Sequence, residues 1–173
     1  MIGLLEARKI IANYHRELSD RGKFAVDIDT LAKKLTLSIN KKRWEDPETY
    51  GELKLDKEKN NYICNIKNGI SLTQRKFTIA HQMSHFILHR HLLEDGIVEN
   101  SLLRNDKLNN DIEREANWYA LEIILPSILI KKYFNKKQSK GADISKNFVD
   151  TMAKDFEVHP ADIIRKIIDH KPY

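Results

Sequence analysis

The sequence predicts an α+β fold, mainly helical, with a small antiparallel sheet. Three observations lead there: apolar residues recur at helical spacing near both ends, one stretch between them alternates apolar with polar residues, and no segment repeats. With 173 residues, 41% hydrophobic and 32% charged, the chain can bury one ordinary core.

The elements follow in order. Leu4, Leu5, Ile10, Ile11, Tyr14 and Leu18 give an opening amphipathic helix that ends near Gly22. Asp27 or Asp29 can cap a second, shorter helix with Leu31, Ala32 and Leu35 on its inner face, and Leu37 to Asn40 reads as extended. From Gly51 to Lys67 the alternation of Leu53 and Leu55, then a polar turn through Lys59, Asn60 and Asn61, then Tyr62, Cys64 and Ile66, predicts a β-hairpin. Thr73 caps a long helix from Gln74 to Leu92. A polar segment with Asn100, Asn105, Asn109 and Asn110 leads into a helix over Asp111 to Leu125, which Pro126 ends or kinks. Two more helices, Ser145 to Phe156 and Pro160 to Ile168, close the chain.

Composition excludes several function classes. No apolar run is long enough to cross a bilayer, and Glu6, Arg8 and Lys9 interrupt any signal-like stretch, so a cytoplasmic protein with no membrane partner is expected. The single cysteine, Cys64, can form neither an internal disulfide nor a zinc finger, so any metal must be held by His and carboxylates. The net charge of +5 and the lysines at 131, 132, 136, 137 and 140 would suit nucleic acid, but the lysine stretch also contains Asn135, Gln138, Ser139 and Gly141 and reads as a solvated loop.

The chemistry lies on two helices. Residues four apart on a helix are rotated by about 40° and rise by about 6 Å, so His81 and His85 project side by side and can share one metal ion. Seven histidines make such a spacing alone close to coincidence. The surroundings add weight: Phe77, Ala80, Met83, Ser84, Ile87 and Leu88 form a broad apolar arc, with His81, His85 and His89 as a stripe beside it. His85 and His89 repeat the spacing, so a second ligand pair remains open; His81 and His89, about 12 Å apart along the axis, cannot share an ion. Among the carboxylates of the next helix, Glu113 shares a face with Ala116, Asn117, Ala120 and Ile124, whereas Glu115 and Glu122 point to the other side, Glu115 as a solvated residue. Glu113 is thus the expected third ligand, with Asn117 placed to hydrogen-bond a ligating histidine. Ala116 and Ala120 let the two helices approach closely.

The run Arg75-Lys76-Phe77-Thr78-Ile79-Ala80-His81-Gln82-Met83-Ser84-His85-Phe86-Ile87-Leu88-His89 resembles the signature helix of the ImmA/IrrE metallo-endopeptidases, RFTLAHELGHFLLH. Glu113-Arg114-Glu115-Ala116-Asn117-Trp118-Tyr119-Ala120, with Leu125-Pro126 after it, is similar to that family's EREANxFAxxLLMP, and Val26 to Ala32 fits its usual start. The resemblance covers Val26 to Pro126. It implies a zincin-like metallopeptidase domain over residues 1–135 and a C-terminal helical extension over 136–173 packed on the same domain. It selects His81, His85 and Glu113 as ligands of Zn2+, and implies a protease that cleaves a helix-turn-helix transcriptional repressor of a phage or mobile element.

Gln82 stands where the family has its catalytic glutamate. An amide can hydrogen-bond water but cannot take its proton, so the expectation is zinc binding with little or no peptidase activity. The intact remainder of the motif favours an engineered Glu-to-Gln change over a natural pseudoprotease that binds its repressor without cutting it. Tyr119 and His89 are the candidates for stabilising an oxyanion. The strand Tyr62 to Ile66 could offer an edge to an extended substrate. In a rival reading the tail, with Phe148, Met152, Ala153, Phe156 and Val158 before Pro160 to Ile167, forms a DNA-binding helix-turn-helix, the chain then acting as a regulator that binds the repressor or its DNA.

Overall fold

A computed structural model describes residues 2–56, 58, 60–93, 107–139 and 147–168. Helix α1 (Leu4–Asp20) buries Ala7, Ile11, Tyr14 and Leu18, a stripe at spacings of four and three. Leu4 and Leu5 remain exposed, because the inward face begins one turn later at Ala7. The chain leaves α1 through Gly22 at φ +67°, a left-handed position that a glycine adopts without a Cβ clash, while the Lys23 N–H donates to the Leu18 carbonyl at 3.0 Å.

In α2 (Ile28–Lys34) the cap is Asp27, whose Oδ1 accepts from the Thr30 N–H at 3.1 Å. Asp29 is therefore available to clamp Arg75 through two guanidinium bonds of 2.6 and 2.7 Å. That fork ties α2 to the first turns of the central helix α3 (Leu72–Leu88).

Strands β1 (Ser38–Lys42), β2 (Gly51–Asp56) and β3 (Asn61–Lys67) form one sheet in the order β1-β3-β2. The expected hairpin is present: β2 pairs antiparallel with β3, Leu53 opposite Cys64. Of its turn, Asn60 takes φ +48°, and residue 59 lies outside the described residues. The sheet as a whole is mixed, because β1 joins β3 in parallel, Ile39 opposite Cys64. Along β3 burial alternates strictly, and Tyr62, Cys64 and Ile66 face inward. Tyr62 meets Phe86 edge to face at 5.1 Å, which seats the sheet on α3.

The N-cap of α3 is Ser71, whose hydroxyl accepts from the Gln74 N–H at 3.2 Å, two residues before the expected Thr73. The helix ends at Leu88 with His89 as its C-cap, and a separate turn, α4 (Arg90–Leu93), follows in place of a continuous helix to Leu92. Helix α5 (Lys107–Ile124) begins earlier than expected, so Asn109 and Asn110 are helical; Asn100 and Asn105 lie outside the described residues. Ala116 and Ala120 are fully buried against α3, as small residues at a close helix crossing must be.

Pro126 ends α5 and opens α6 (Ser127–Gln138), its fixed φ suiting an N-cap. Lys131, Lys132, Lys136 and Lys137 are thus helical rather than in a loop; Lys140 lies outside the described residues. Tyr133 explains the helix: fully buried, it packs on Phe24, Phe148 and Phe156. Helix α6 runs unbroken across position 135, and α7 (Phe148–Phe156), α8 (Pro160–Ile168) and the turn between them contribute Met152, Phe156, Val158 and Ile163 to the one core. The start of the expected helix at Ser145 lies outside the described residues.

No helix among the described residues is long and apolar enough to cross a membrane.

Candidate metal centre

Helix α3 is buried around most of its circumference, and the histidine stripe runs along the side that α5 crosses. His85 is 1% exposed and His81 more open, at the floor of a cleft. Their Nε2 atoms stand 3.0 Å apart. Glu113 reaches both from α5, its Oε2 3.3 Å from His81 Nε2 and its Oε1 3.5 Å from His85 Nε2. One ligand atom from each of the three residues falls within a 4.8 Å sphere of mutual distance.

These separations test the donor set. With zinc bonds of about 2.0–2.1 Å in tetrahedral geometry, ligand atoms stand about 3.3 Å apart. The observed 3.0, 3.3 and 3.5 Å bracket that edge length, and two imidazoles with one carboxylate are a donor set that leaves a fourth position open. Electrostatics agree. Burial, reinforced by the neighbouring His81, holds the His85 pKa at about 3, so the ring is neutral at pH 7 and has a lone pair to offer.

The open side faces a cleft of about 280 Å³ walled by α3, by Glu113 and Asn117 of α5, and by residues 48–51 leading into β2. Gly51 makes this wall possible. A Cβ there would lie 2.7 Å from Thr78 Cγ2 and 3.1 Å from Gln82 Nε2, so only a glycine lets β2 descend this far onto α3. The sequence reading missed its role, although a glycine opening a strand was a signal. Gln82 lies beneath it, 3% exposed, with a buried Oε1 that finds no hydrogen-bond partner.

The remaining sequence candidates separate. Asn117 lines the cleft but is exposed, and the partner on the outer nitrogen of His85 is His89, Nδ1 to Nδ1 at 3.2 Å. His89 faces away from the cleft, and its Nε2 lies 3.1 Å from Glu115 Oε2. Glu115 is exposed, as expected, yet it holds a histidine because α5 crosses α3 with a carboxylate on each side of the stripe. Tyr119 borders a different cavity, with Arg8, Leu88 and Trp118. The strand Tyr62 to Ile66 is the centre of the sheet, paired on both sides; the edge beside the cleft belongs to β2.

Residues 25–166 match the family model described as the IrrE N-terminal-like domain, a peptidase family. The chain belongs to this ImmA/IrrE family. Two relatives agree: an immunity region protein of Bacillus phage phi105, 32% identical over 100 residues, and metallopeptidase ImmA of Bacillus subtilis, 32% identical over 82 residues. The first match covers 57% of this chain and 60% of the relative; the second covers 47% and 45%. A Mycobacterium tuberculosis transcriptional regulator shares the fold at a TM-score of 0.54 and 14% identity, over 92% of this chain and 46% of that one. The ImmA/IrrE chain described here therefore has the architecture of a metallopeptidase and spans under two thirds of each of these proteins.

Proposed function

We propose that the chain is a cytoplasmic zinc-site protein of the ImmA/IrrE family that engages a helix-turn-helix repressor and, with Gln82 in the general-base position, hydrolyses it very slowly or not at all. The observation that carries this is the pairing of an intact His81, His85 and Glu113 cluster with an amide, not a carboxylate, on the adjoining cleft floor. His81, His85 and Glu113 would hold the ion, which when bound supplies Lewis acidity to a peptide carbonyl and to water.

The rest of the chemistry belongs to the chain. The outer edge of β2, which pairs with no strand among the described residues, can align an extended peptide, with residues 48–51 and Phe77 flanking it. Gln82 can orient a water molecule through its amide but has no basic site to receive a proton or return one to the leaving amine. That loss costs about 10²- to 10⁴-fold in rate. An engineered or a natural origin of Gln82 leaves this chemistry unchanged.

The repressor as substrate rests on the phage immunity-region relative and on ImmA. The rival, a DNA-binding tail, is weakened by α8 itself. Lys166 turns inward to Glu122 and Asp162 is buried, so of the three charges on α8 only Arg165 remains at the surface to meet a phosphate backbone. The test is to revert Gln82→Glu and incubate with the repressor. Cleavage that depends on added zinc supports the reading; no cleavage by a zinc-loaded revertant sinks it.

A further inference from the structure

Behind the cluster three side chains form a row: His85 Nδ1 lies 3.2 Å from His89 Nδ1, and His89 Nε2 lies 3.1 Å from Glu115 Oε2. His85 and His89 are buried, while Glu115 sits at the surface. We infer that Glu115 and His89 are positioning residues that set the tautomer of His85 and so hold its Nε2 ready for the metal, an inference that rests on the zinc-site reading above.

An ionised carboxylate only accepts, so Glu115 requires the proton of a neutral His89 to sit on Nε2. His89 Nδ1 is then a bare lone pair. Facing it, His85 Nδ1 must carry the proton of its own ring and donate. The other nitrogen of His85, Nε2, is left with its lone pair among His81 Nε2 and Glu113 Oε1, where the ion would sit. The opposite polarity fails at both ends: it leaves Glu115 facing a lone pair and puts a proton on His85 Nε2, inside the ligand triangle.

The helices make the row possible. His89 is the C-cap of α3, one turn beyond His85, and its N–H still donates to the His85 carbonyl at 2.8 Å, which fixes the backbone of both rings. Glu113 and Glu115, two residues apart on α5, point to opposite sides of that helix and so address the two ring nitrogens of one imidazole, Glu113 reaching Nε2 directly and Glu115 reaching Nδ1 through His89. A ligand oriented in this way gains basicity and loses rotational freedom, and outer partners of metal-bound histidines typically affect affinity about 10- to 100-fold.

The experiment measures the zinc dissociation constant by chelator competition in the full chain and in variants. His89→Leu is expected to weaken zinc about 10- to 100-fold, and Glu115→Gln, two hydrogen bonds from the ion, about 3- to 10-fold. Adding Glu115→Gln to His89→Leu should change nothing further, which independent structural damage would not reproduce. His89→Asn, whose amide oxygen can accept from His85 Nδ1, should recover part of the affinity and be insensitive to Glu115→Gln. If His89→Leu does not fold, Glu115→Gln stands alone with the nitrogen-15 spectrum of the zinc-loaded protein, which should show His89 protonated at Nε2 and not at Nδ1. A wild-type chain that binds one zinc ion, loses it on His85→Ala, and keeps its affinity in the His89 and Glu115 variants overturns the relay and leaves the metal centre standing. A wild-type chain that binds no zinc overturns both.

Discussion

Gly51 and Thr78 touch at the mouth of the cleft so closely that a methyl group on Gly51 would sit 2.7 Å from Thr78 Cγ2. Thr78 cannot easily give way, because its hydroxyl bonds the Gln74 carbonyl at 2.8 Å and its side chain is held by helix geometry. Gly51→Ala should therefore push β2 off α3. The expected cost is about 1–3 kcal/mol, the usual range for overpacking, read by urea denaturation. Repressor affinity should fall as well, since the same shift moves the cleft wall. An alanine variant with wild-type stability would show that β2 is not held down at this point.

Metal removal gives the second prediction. A ligand that binds only the folded state stabilises by about 2.7 kcal/mol at 100 times its dissociation constant. Excess zinc should raise the melting temperature of the chain, and a chelator should reverse the rise. His85→Ala should abolish both effects, while Gln82→Glu should leave them in place because position 82 lies outside the His81, His85 and Glu113 cluster. A melting temperature indifferent to zinc in the wild-type chain would count against the site.

Acid sensitivity follows from His15. Its Nε2 donates to the Ile123 carbonyl at 2.9 Å near the end of α5, and burial is the main cause that lowers its pKa from 6.5. As pH falls through about 6.5 the unfolded chain takes up a proton that folded His15 refuses, so stability is full above that value and is lost below it. His85, with its pKa near 3, adds the same sign in the metal-free protein. His15→Gln should flatten part of the stability loss between pH 7 and pH 5, measured by denaturation at each pH. An unchanged slope would mean that His15 is protonated as readily in the folded chain as in the unfolded one.

How much of this was legible depends on whether a feature is local. The His81 and His85 pair and the inward face of Glu113 follow from helical periodicity, and the structure brings all three together. The row through His89 to Glu115 depends on which flank of α3 is crossed by α5, and no periodicity encodes a crossing. Helix α6 hid for a different reason. Its buried residues are few, Leu129 and Tyr133, and lysines surround them, so the apolar contrast was weak. Strand β1 is exposed along almost its whole length and is a strand only because β3 pairs with it. The extended reading of Leu37 to Asn40 overlaps its first three residues, but the parallel pairing with β3 is non-local and is not encoded in SINKK itself.

The C-terminal helices are held to α3 by one buried lysine. Lys76 of α3 is 6% exposed, and its ammonium donates to the Phe156 carbonyl at 3.0 Å, with Glu157 Oε2 at 3.6 Å. Phe156 is the last residue of α7, so this carbonyl has no partner within its helix, and Glu157 at φ +55° turns the chain toward α8. Lys76 thus fastens the α7–α8 turn to the helix that bears His81 and His85. Lys76→Met keeps the packing of the stem and removes the donor. An unmet carbonyl at a charge-assisted bond costs about 1.5–3 kcal/mol, while releasing a buried ammonium, whose pKa burial already lowers, returns part of it. A net loss of about 1–2 kcal/mol is expected in urea denaturation. Hydrogen exchange should distinguish this from a general weakening. Amides of 148–168 should exchange faster than those of α1, because only the former lose their anchor. Uniform acceleration throughout the chain would mean that the two helices unfold with the whole core and that Lys76 is not their separate fastening.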